Sequence, residues 1–321
     1  MNINLMSLLL KSRRNRGMSI ITRSNRTLLR TMSSIPASDT NNTKHKIIEY
    51  PETIEDIRAR VKDAQQDYGK NLKTIEEILQ SQRGYVTKAP ENAVVLCSGG
   101  LDSVVMISKI IEDQKTVVYP LFIRRGARAQ KFEEESFDFF MKFYKKRFPD
   151  NLKDGFKLDY CIPPKELKQN FPEAMALSIG HPLRNSTIQN LAVMYAVSLQ
   201  NKGIEAKTIF SGSVAEDNTE PELGILSLRA QTLNTCIQLG DWDWQITSPL
   251  TDPYLTETPI SKSDLIQYAN TKFIPLEKTR TCFTNERVAN GTCLACKKRL
   301  DAFKRLEIAD PLKYKTQEVT I

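Results

Sequence analysis

The chain has 321 residues, 40% of them hydrophobic, and a formal net charge of +8, which is enough for one large α/β domain or two smaller ones. No apolar run nears the ~18 residues of a membrane helix, so no span is expected. Seven basic residues (Lys11, Arg13, Arg14, Arg16, Arg23, Arg26 and Arg30) lie in the acid-free stretch 1–38, and without them the net falls from +8 to +1. A near-neutral body argues against direct DNA binding.

Residues 1–46 read as a basic tail and polar linker. Three readings stay open for the tail. It is an Arg- and Ser-rich mitochondrial transit peptide, upstream translation with Met18 or Met32 as the true start, or a disordered basic arm. A secretory signal does not fit, because arginines stand where a cleavage site should be. The expected compartment is the cytoplasm, or the mitochondrial matrix on the transit reading. Six cysteines at 97, 161, 236, 282, 293 and 296 are spaced for a reducing compartment and a metal or redox role, not for a disulfide framework.

Residues 47–90 form a helical extension. Ile54, Ile57, Val61, Ala64, Leu72, Ile75 and Ile78 recur at helical spacing over 52–82, which predicts one or two amphipathic helices packed on the main body. From 91 to 321 the texture is that of a single domain. "AVVLC" (93–97) is an apolar run suited to a buried parallel strand. A helix follows over 101–114, a strand over 116–123 and a charged amphipathic helix over 131–148. A strand is expected at "FKLDYCI", a helix over 186–203 and a strand over 206–212. This alternation predicts a doubly wound parallel sheet, Rossmann-like, with helices on both faces. Ligands bind such sheets beyond the carboxyl ends of the strands.

"VVLCSGGLDSVV" sits at such an end. Gly99 and Gly100 permit close backbone approach, successive N–H groups make an anion nest, and the following helix adds partial positive charge. Ser98 and Ser103 supply hydroxyls. The stretch is neither a Walker loop nor a dinucleotide fingerprint. It resembles the SGGxDS pyrophosphate loop of the PP-loop ATP pyrophosphatases, which have the adenine nucleotide alpha-hydrolase fold and split ATP between its α and β phosphates. The resemblance assigns ATP contact to Cys97, Ser98, Gly99, Gly100, Leu101, Asp102 and Ser103.

Within that superfamily the chain resembles the 7-cyano-7-deazaguanine synthases. "HPLRNSTIQNLAVMYA" is similar to their PxRN segment, with Arg184 as a phosphate or carboxylate clamp and Asn185 as a helix cap or nucleotide contact. "FSGSVAEDN" is similar to their GxxxxD segment, which puts Gly212 at the nucleotide and Asp217 at Mg²⁺ or a substrate amine. "TPISKSDLIQYA" offers Lys262 to the ATP phosphates. Each also has a plainer reading: a cap with a surface ion pair, an aspartate in an Asx turn, a solvated lysine. On the family reading, catalysis falls to Ser98, Asp102, Ser103 and Lys262.

"TRTCFTNERVANGTCLACKKRLDAF" is similar to the family's zinc region, a C-terminal cysteine-rich segment over 282–296. Cys282, Cys293 and Cys296 match three of its four zinc cysteines, and Asn290 stands at the fourth. A neutral amide is a poor ligand, so water or a side chain such as His181 is expected to complete the shell. The family's S-G-Y-P-D-C-R run is replaced by "NTEPELGILSLRAQT". Its Y-G-Q-R-H segment becomes "RRGARAQ", which keeps Gly126 and Arg128, the latter assigned to the nucleotide. In "GDWDWQITSP" (240–249), Trp242 and Trp244 at i, i+2 on a strand either stack a base or fill a core.

The resemblance implies an ATP-dependent ligase that adenylates a carboxylate such as 7-carboxy-7-deazaguanine for attack by ammonia or an amine, with ATP, Mg²⁺ and Zn²⁺, in queuosine or related base synthesis. Alternatives are a synthase-like protein of an antiviral system that joins a deazapurine to a protein acceptor, a tRNA-modifying PP-loop enzyme, and a non-catalytic ATP-binding subunit. A homodimer is among the assemblies left open. Edman sequencing of the native protein tests the tail: a first residue near the linker is the transit outcome, and a start at Met18 or Met32 is the misassigned-start outcome.

Overall fold

Parallel pairing builds a single sheet in this computed structural model, which describes residues 68–168, 170, 181–218 and 220–315. The basic tail and the 52–67 part of the helical extension lie outside the described residues. The strands are β1 (Asn92–Leu96), β2 (Val117–Arg124), β3 (Phe156–Asp159), β4 (Thr208–Phe210) and β5 (Gln245–Thr247), and the sheet order is β3-β2-β1-β4-β5. All four pairings are parallel, with Val94 opposite Tyr119 on one side and Ile209 on the other.

The helices are α1 (Tyr68–Arg83), α2 (Leu101–Gln114), α3 (Gln130–Arg147), the single turn α4 (Lys165–Lys168), α5 (Arg184–Gln200), α6 (Ile225–Leu239), α7 (Lys262–Thr271) and α8 (Leu294–Arg305). The strand period of two separates the cores. Ala93 and Val95 face one core, with Val104 of α2, Phe140 of α3 and Leu265 of α7. Val94 faces the other, with Ala192 and Ala196 of α5 and Leu228 of α6. The sheet is therefore doubly wound. Among the described residues no helix is long and apolar enough to cross a membrane.

Chain direction fixes the ligand position. From β1 the chain builds outward through β2 to β3, then returns by α5 to lay β4 on the other side of β1. The strand order reverses between β1 and β4, and the loops after these two strands splay apart at their carboxyl ends.

Two elements depart from the sequence reading. The stretch "NTEPELGILSLRAQT" runs into α6, its residues 225–232 forming the first half of that helix. The tryptophans do not share a strand, because residues 241–244 form a turn that precedes β5, in which Asp243 N–H donates to Asp241 Oδ1 at 3.0 Å. Trp244 is 2% exposed in the core, and Trp242 packs at the margin of that core. The carbonyls of both accept from Arg83 Nη1, at 3.1 and 2.7 Å, so α1 closes this corner and Trp244 offers no face for stacking.

α1 also reaches α6. Tyr68 Oη accepts Leu226 N–H at 3.0 Å, and Glu76 Oε1 accepts Arg229 Nε–H at 2.9 Å. Arg229, 1% exposed, forks onto Asp252 at 2.8 and 2.9 Å. Burial alone would push the Asp252 carboxyl up, but the paired guanidinium outweighs it and holds it below the usual carboxylate range. A depressed folded pKa contributes stability that is present above the unfolded carboxylate value and is lost as pH falls through the folded one. Urea unfolding of Asp252→Ala is expected to show a loss of ~3 kcal/mol at neutral pH, the low end for a broken buried pair, because Arg229 keeps Glu76 as its remaining carboxylate partner. Between neutral pH and acid, the variant should lose less stability than the parent.

Candidate active site

The loop after β1 is held by its own backbone. Gly99 has φ +74°, and a Cβ there would stand 2.3 Å from the Glu133 carbonyl oxygen. Its carbonyl accepts Ser136 Oγ–H at 2.7 Å and Arg280 N–H at 2.8 Å. Inside the loop, Ser103 Oγ accepts Ser98 N–H at 3.2 Å, and Ser98 Oγ accepts Gly100 N–H at 3.4 Å. Gly100 is the extended N-cap of α2 and supplies no side-chain cap. The positive end of α2 therefore meets the cleft with its first-turn donors uncapped, which is a site for an anion. Cys97 is 2% exposed in the core, and burial pushes its thiol up to about 11.

The cleft in front of this loop has a volume of about 300 Å³, and its walls include Ser98, Gly100, Asp102, Ser103, Gly212 and Arg184. A wider groove of about 480 Å³ along α1 contains none of these residues. Gly212 lies against α2, where a Cβ would come within 3.3 Å of Ser103 Cα. Lys262 begins α7, whose register is set by a capping box in which Ser261 and Asp264 exchange hydrogen bonds. Its side chain is 13% exposed, and its ammonium is paired with the Asp102 carboxylate. This lysine is not a solvated helix start; it reaches across 160 residues to the loop.

Asp217 ends a 3₁₀ turn (Ala215–Asp217), and its Oδ2 accepts Val214 N–H at 3.2 Å. Burial pushes its carboxyl up. The Val214 N–H opposes this, the nearby Asp102 charge adds to it, and Lys262 and Lys298 oppose it. Asp102 and Asp217 are thus close enough for their charges to interact, and Lys262 stands beside both.

Arg184 and Asn185 open α5, but neither caps it: the N-cap is Leu183, with φ +57° and no side-chain cap. Both turn to Glu222. Asn185 Nδ2–H donates to its Oε2 at 3.0 Å, and Arg184 is 3.9 Å away. Burial pushes the Glu222 carboxyl up, with Arg184 opposing. The sequence reading missed Glu222, which stands in the stretch without family counterpart and carried no local signal. It also placed Arg128 at the nucleotide. Arg128 is exposed in the turn before α3 and makes no hydrogen bond or ion pair among the described residues. Arg125 lines the cleft in its stead, doubly bonded to Glu133 at 2.9 and 3.1 Å. The substitution is geometric: Gly126, with φ +75°, turns the chain between the two arginines.

Cys282, Cys293 and Cys296 converge, their sulfur atoms all within 4.8 Å of one another. Among the described residues the possible metal group is these three, and His181 is not in it. Burial raises the Cys282 thiol, but hydrogen bonds from Thr284 and from Asn290 N–H bring it down to about 7, while burial pushes Cys296 up to about 12. Three converging thiols, two buried and Cys293 half-buried, fit a soft-ligand cation such as Zn²⁺. Behind them Arg299, fully buried, forks onto Asp310 at 2.7 and 2.8 Å. Phe283, next to Cys282 and 55% exposed, lines the cleft.

The chain is 30% identical over 235 residues to the 7-cyano-7-deazaguanine synthase of Chloroherpeton thalassium, a match that covers 70% of this chain and 96% of that protein. The chain belongs to the 7-cyano-7-deazaguanine synthase family. It is 29% identical over 245 residues to the synthase of Thermoplasma volcanium, covering 70% of this chain and 91% of the other. With that of Hahella chejuensis it shares 26% over 234 residues, covering 71% and 94%. The family model described as queuosine biosynthesis protein QueC matches residues 159–307. Members of the synthase family are enzymes that act on small molecules. Residues 159–307 include Lys262 and all three clustered cysteines, and also Glu222, which lies in the divergent stretch.

Gly99→Ala tests the loop geometry. The substitution strains φ and drives a methyl into the Glu133 carbonyl, so thermal unfolding should show a cost of ~1–3 kcal/mol. Calorimetry should show ATP binding lost. Wild-type ATP affinity in a folded Gly99→Ala variant would remove the loop from nucleotide binding.

Proposed function

We propose that this synthase-family protein binds ATP in the cleft and adenylates the carboxylate of a 7-deazapurine acid such as 7-carboxy-7-deazaguanine, which ammonia then converts to the amide and a second ATP to the nitrile. One observation carries the reading: the uncapped N-terminus of α2, the 98–103 loop and the Lys262–Asp102 pair meet at the point where the strand order reverses.

A carboxylate is a poor electrophile because its leaving group would be oxide. In the first step a carboxylate oxygen attacks the α-phosphorus of ATP, the α–β bridging bond breaks, and pyrophosphate leaves with the electron pair. The backbone donors of the loop face the β and γ phosphates and stabilise the charge on that leaving group. Lys262 transfers its hydrogen bonds from Asp102 to phosphate oxygen as a point charge. Asp102 and Asp217 would hold Mg²⁺, which supplies further charge neutralisation when bound. Ammonia then attacks the acyl carbon, loses a proton, and expels AMP to leave the amide. The amide oxygen then attacks the α-phosphorus of a second ATP, pyrophosphate and a proton leave, and loss of AMP and a second proton gives the nitrile. Arg184, whose described partner is Glu222 at 3.9 Å, is available to orient the acid.

The test is incubation of the full chain with ATP, Mg²⁺, 7-carboxy-7-deazaguanine and ammonium, following AMP, pyrophosphate and product mass. AMP with a product lighter than the acid by the acid-to-nitrile difference supports the proposal. No AMP from protein that binds ATP would overturn it. Lys262→Met is expected to lower kcat by ~10²–10³-fold, the usual cost of one donor to a developing charge. Because the acid does not touch Lys262 in this scheme, its KM should move little.

A further inference from the structure

We infer that the side-chain oxygen of Asn290 is the fourth vertex of the cysteine-cluster metal site, so that the site is three thiolates and one amide oxygen. The sequence places Asn290, Cys293 and Cys296 at equal intervals of three. The structure gives the first of them a ligand's position. Asn290 Oδ1 lies 3.4 Å from Cys282 Sγ. With Zn–S near ~2.3 Å and Zn–O near ~2.1 Å, an oxygen and a sulfur on one tetrahedron stand ~3.6 Å apart and two sulfurs ~3.8 Å. The three sulfur atoms, within 4.8 Å of one another, need only a small contraction to close on one ion.

The orientation of the amide is fixed. Oδ1 accepts the N–H of Thr292 at 3.1 Å and of Cys293 at 3.2 Å, two and three residues ahead. The first ligand of a C-x-x-C metal turn accepts the same pair of donors while it binds its ion, because that turn aims them at the ligating atom. Asn290 thus keeps the turn of the missing cysteine and puts oxygen where its sulfur would be. Gly291, with φ +76°, completes the bend, and Ala289 is tied down by the N–H of Lys315 on its carbonyl at 2.8 Å.

The chemistry differs from that of four thiolates. With Zn²⁺ the site carries one net negative charge instead of two, and a hard neutral oxygen replaces a soft anionic sulfur, so the ion is held less tightly. The site sits two residues beyond Arg280, whose N–H holds the Gly99 carbonyl, and one residue before Phe283 in the cleft wall. Metal loading therefore acts on the loop through a short covalent path. The inference stands on the cysteine segment alone and does not depend on the reaction proposed above.

The test is metal affinity of the full chain, measured by competition with a chromophoric chelator, together with Co²⁺ absorption spectra. Asn290→Ala should weaken Zn²⁺ binding by ~10-fold or more, and Asn290→Cys should tighten it by a similar factor. Asn290→Cys should also move the Co²⁺ ligand-field bands to lower energy, as a fourth sulfur does. Asn290→Asp separates a ligand from a turn former: it keeps the oxygen that accepts both N–H groups and adds charge at the vertex, so a ligand role predicts tighter binding. Equal affinity of wild type and Asn290→Asp, a Co²⁺ spectrum of wild type identical to that of Asn290→Cys, or no Zn²⁺ bound to folded wild-type protein would each overturn the inference.

Discussion

The Gly99 carbonyl is the point on which the site depends. It accepts one hydrogen bond from Ser136 in α3 and one from the backbone of Arg280 at the start of the cysteine segment. Three parts of the chain, distant in sequence, are thereby held to one peptide group. The positive φ of Gly99 sets that carbonyl toward its two donors, while the N–H groups of Ser98 and Gly100 are held by the loop's own serine hydroxyls. Any residue with a Cβ would collide with the Glu133 carbonyl, so the glycine is required by contact as well as by conformation.

The same peptide group gives the cysteine segment its purpose in the fold. Cys282 lies between Arg280, which holds the loop, and Phe283, which lines the cleft. Arg299 and Asp310 brace the segment from the inner side by a fully buried fork, with Thr279 Oγ1 accepting a further bond from Arg299 at 2.6 Å. A second buried fork, Arg229 with Asp252, does the equivalent at the far side of the sheet, where Glu76 of α1 completes its pairing. Each buried arginine is satisfied by a carboxylate and by further acceptors or charges, which is the condition under which burial of such charges is tolerated.

Much of the site was legible in the sequence because local signals carry it. "SGGLDS" between an apolar strand and an apolar helix announced the loop, and C-x-x-C announced the metal segment. The helix limits 101–114 followed from apolar spacing. Lys262 was nameable only by resemblance, since nothing local distinguishes a cleft lysine from a solvated one; its pairing with Asp102 is a long-range contact. Arg125 and Arg128 flank Gly126 and look alike in sequence, and the turn at that glycine decides which of them faces the cleft. Glu222 lay in a stretch with no recognisable pattern. The tryptophan pair was read at strand spacing because alternation is the same in a strand and in an extended turn, and the Asp241 turn before a three-residue strand breaks it.

Sequence by itself determined the parallel α/β class, the position of the glycine loop after β1, the three cysteines that converge and the near-neutral body, because periodicity, glycine pairs, cysteine spacing and charge are properties of neighbouring residues. Tertiary structure alone decided which side chains meet. Lys262 with Asp102, Arg184 and Asn185 with Glu222, and Arg280 with Gly99 are pairings made by chain crossovers, and no window of the sequence contains both partners. It also decided what a substitution means: Asn290 looked like a lost cysteine in sequence, and only the turn around it shows its oxygen accepting the two N–H groups that a ligating sulfur would accept there.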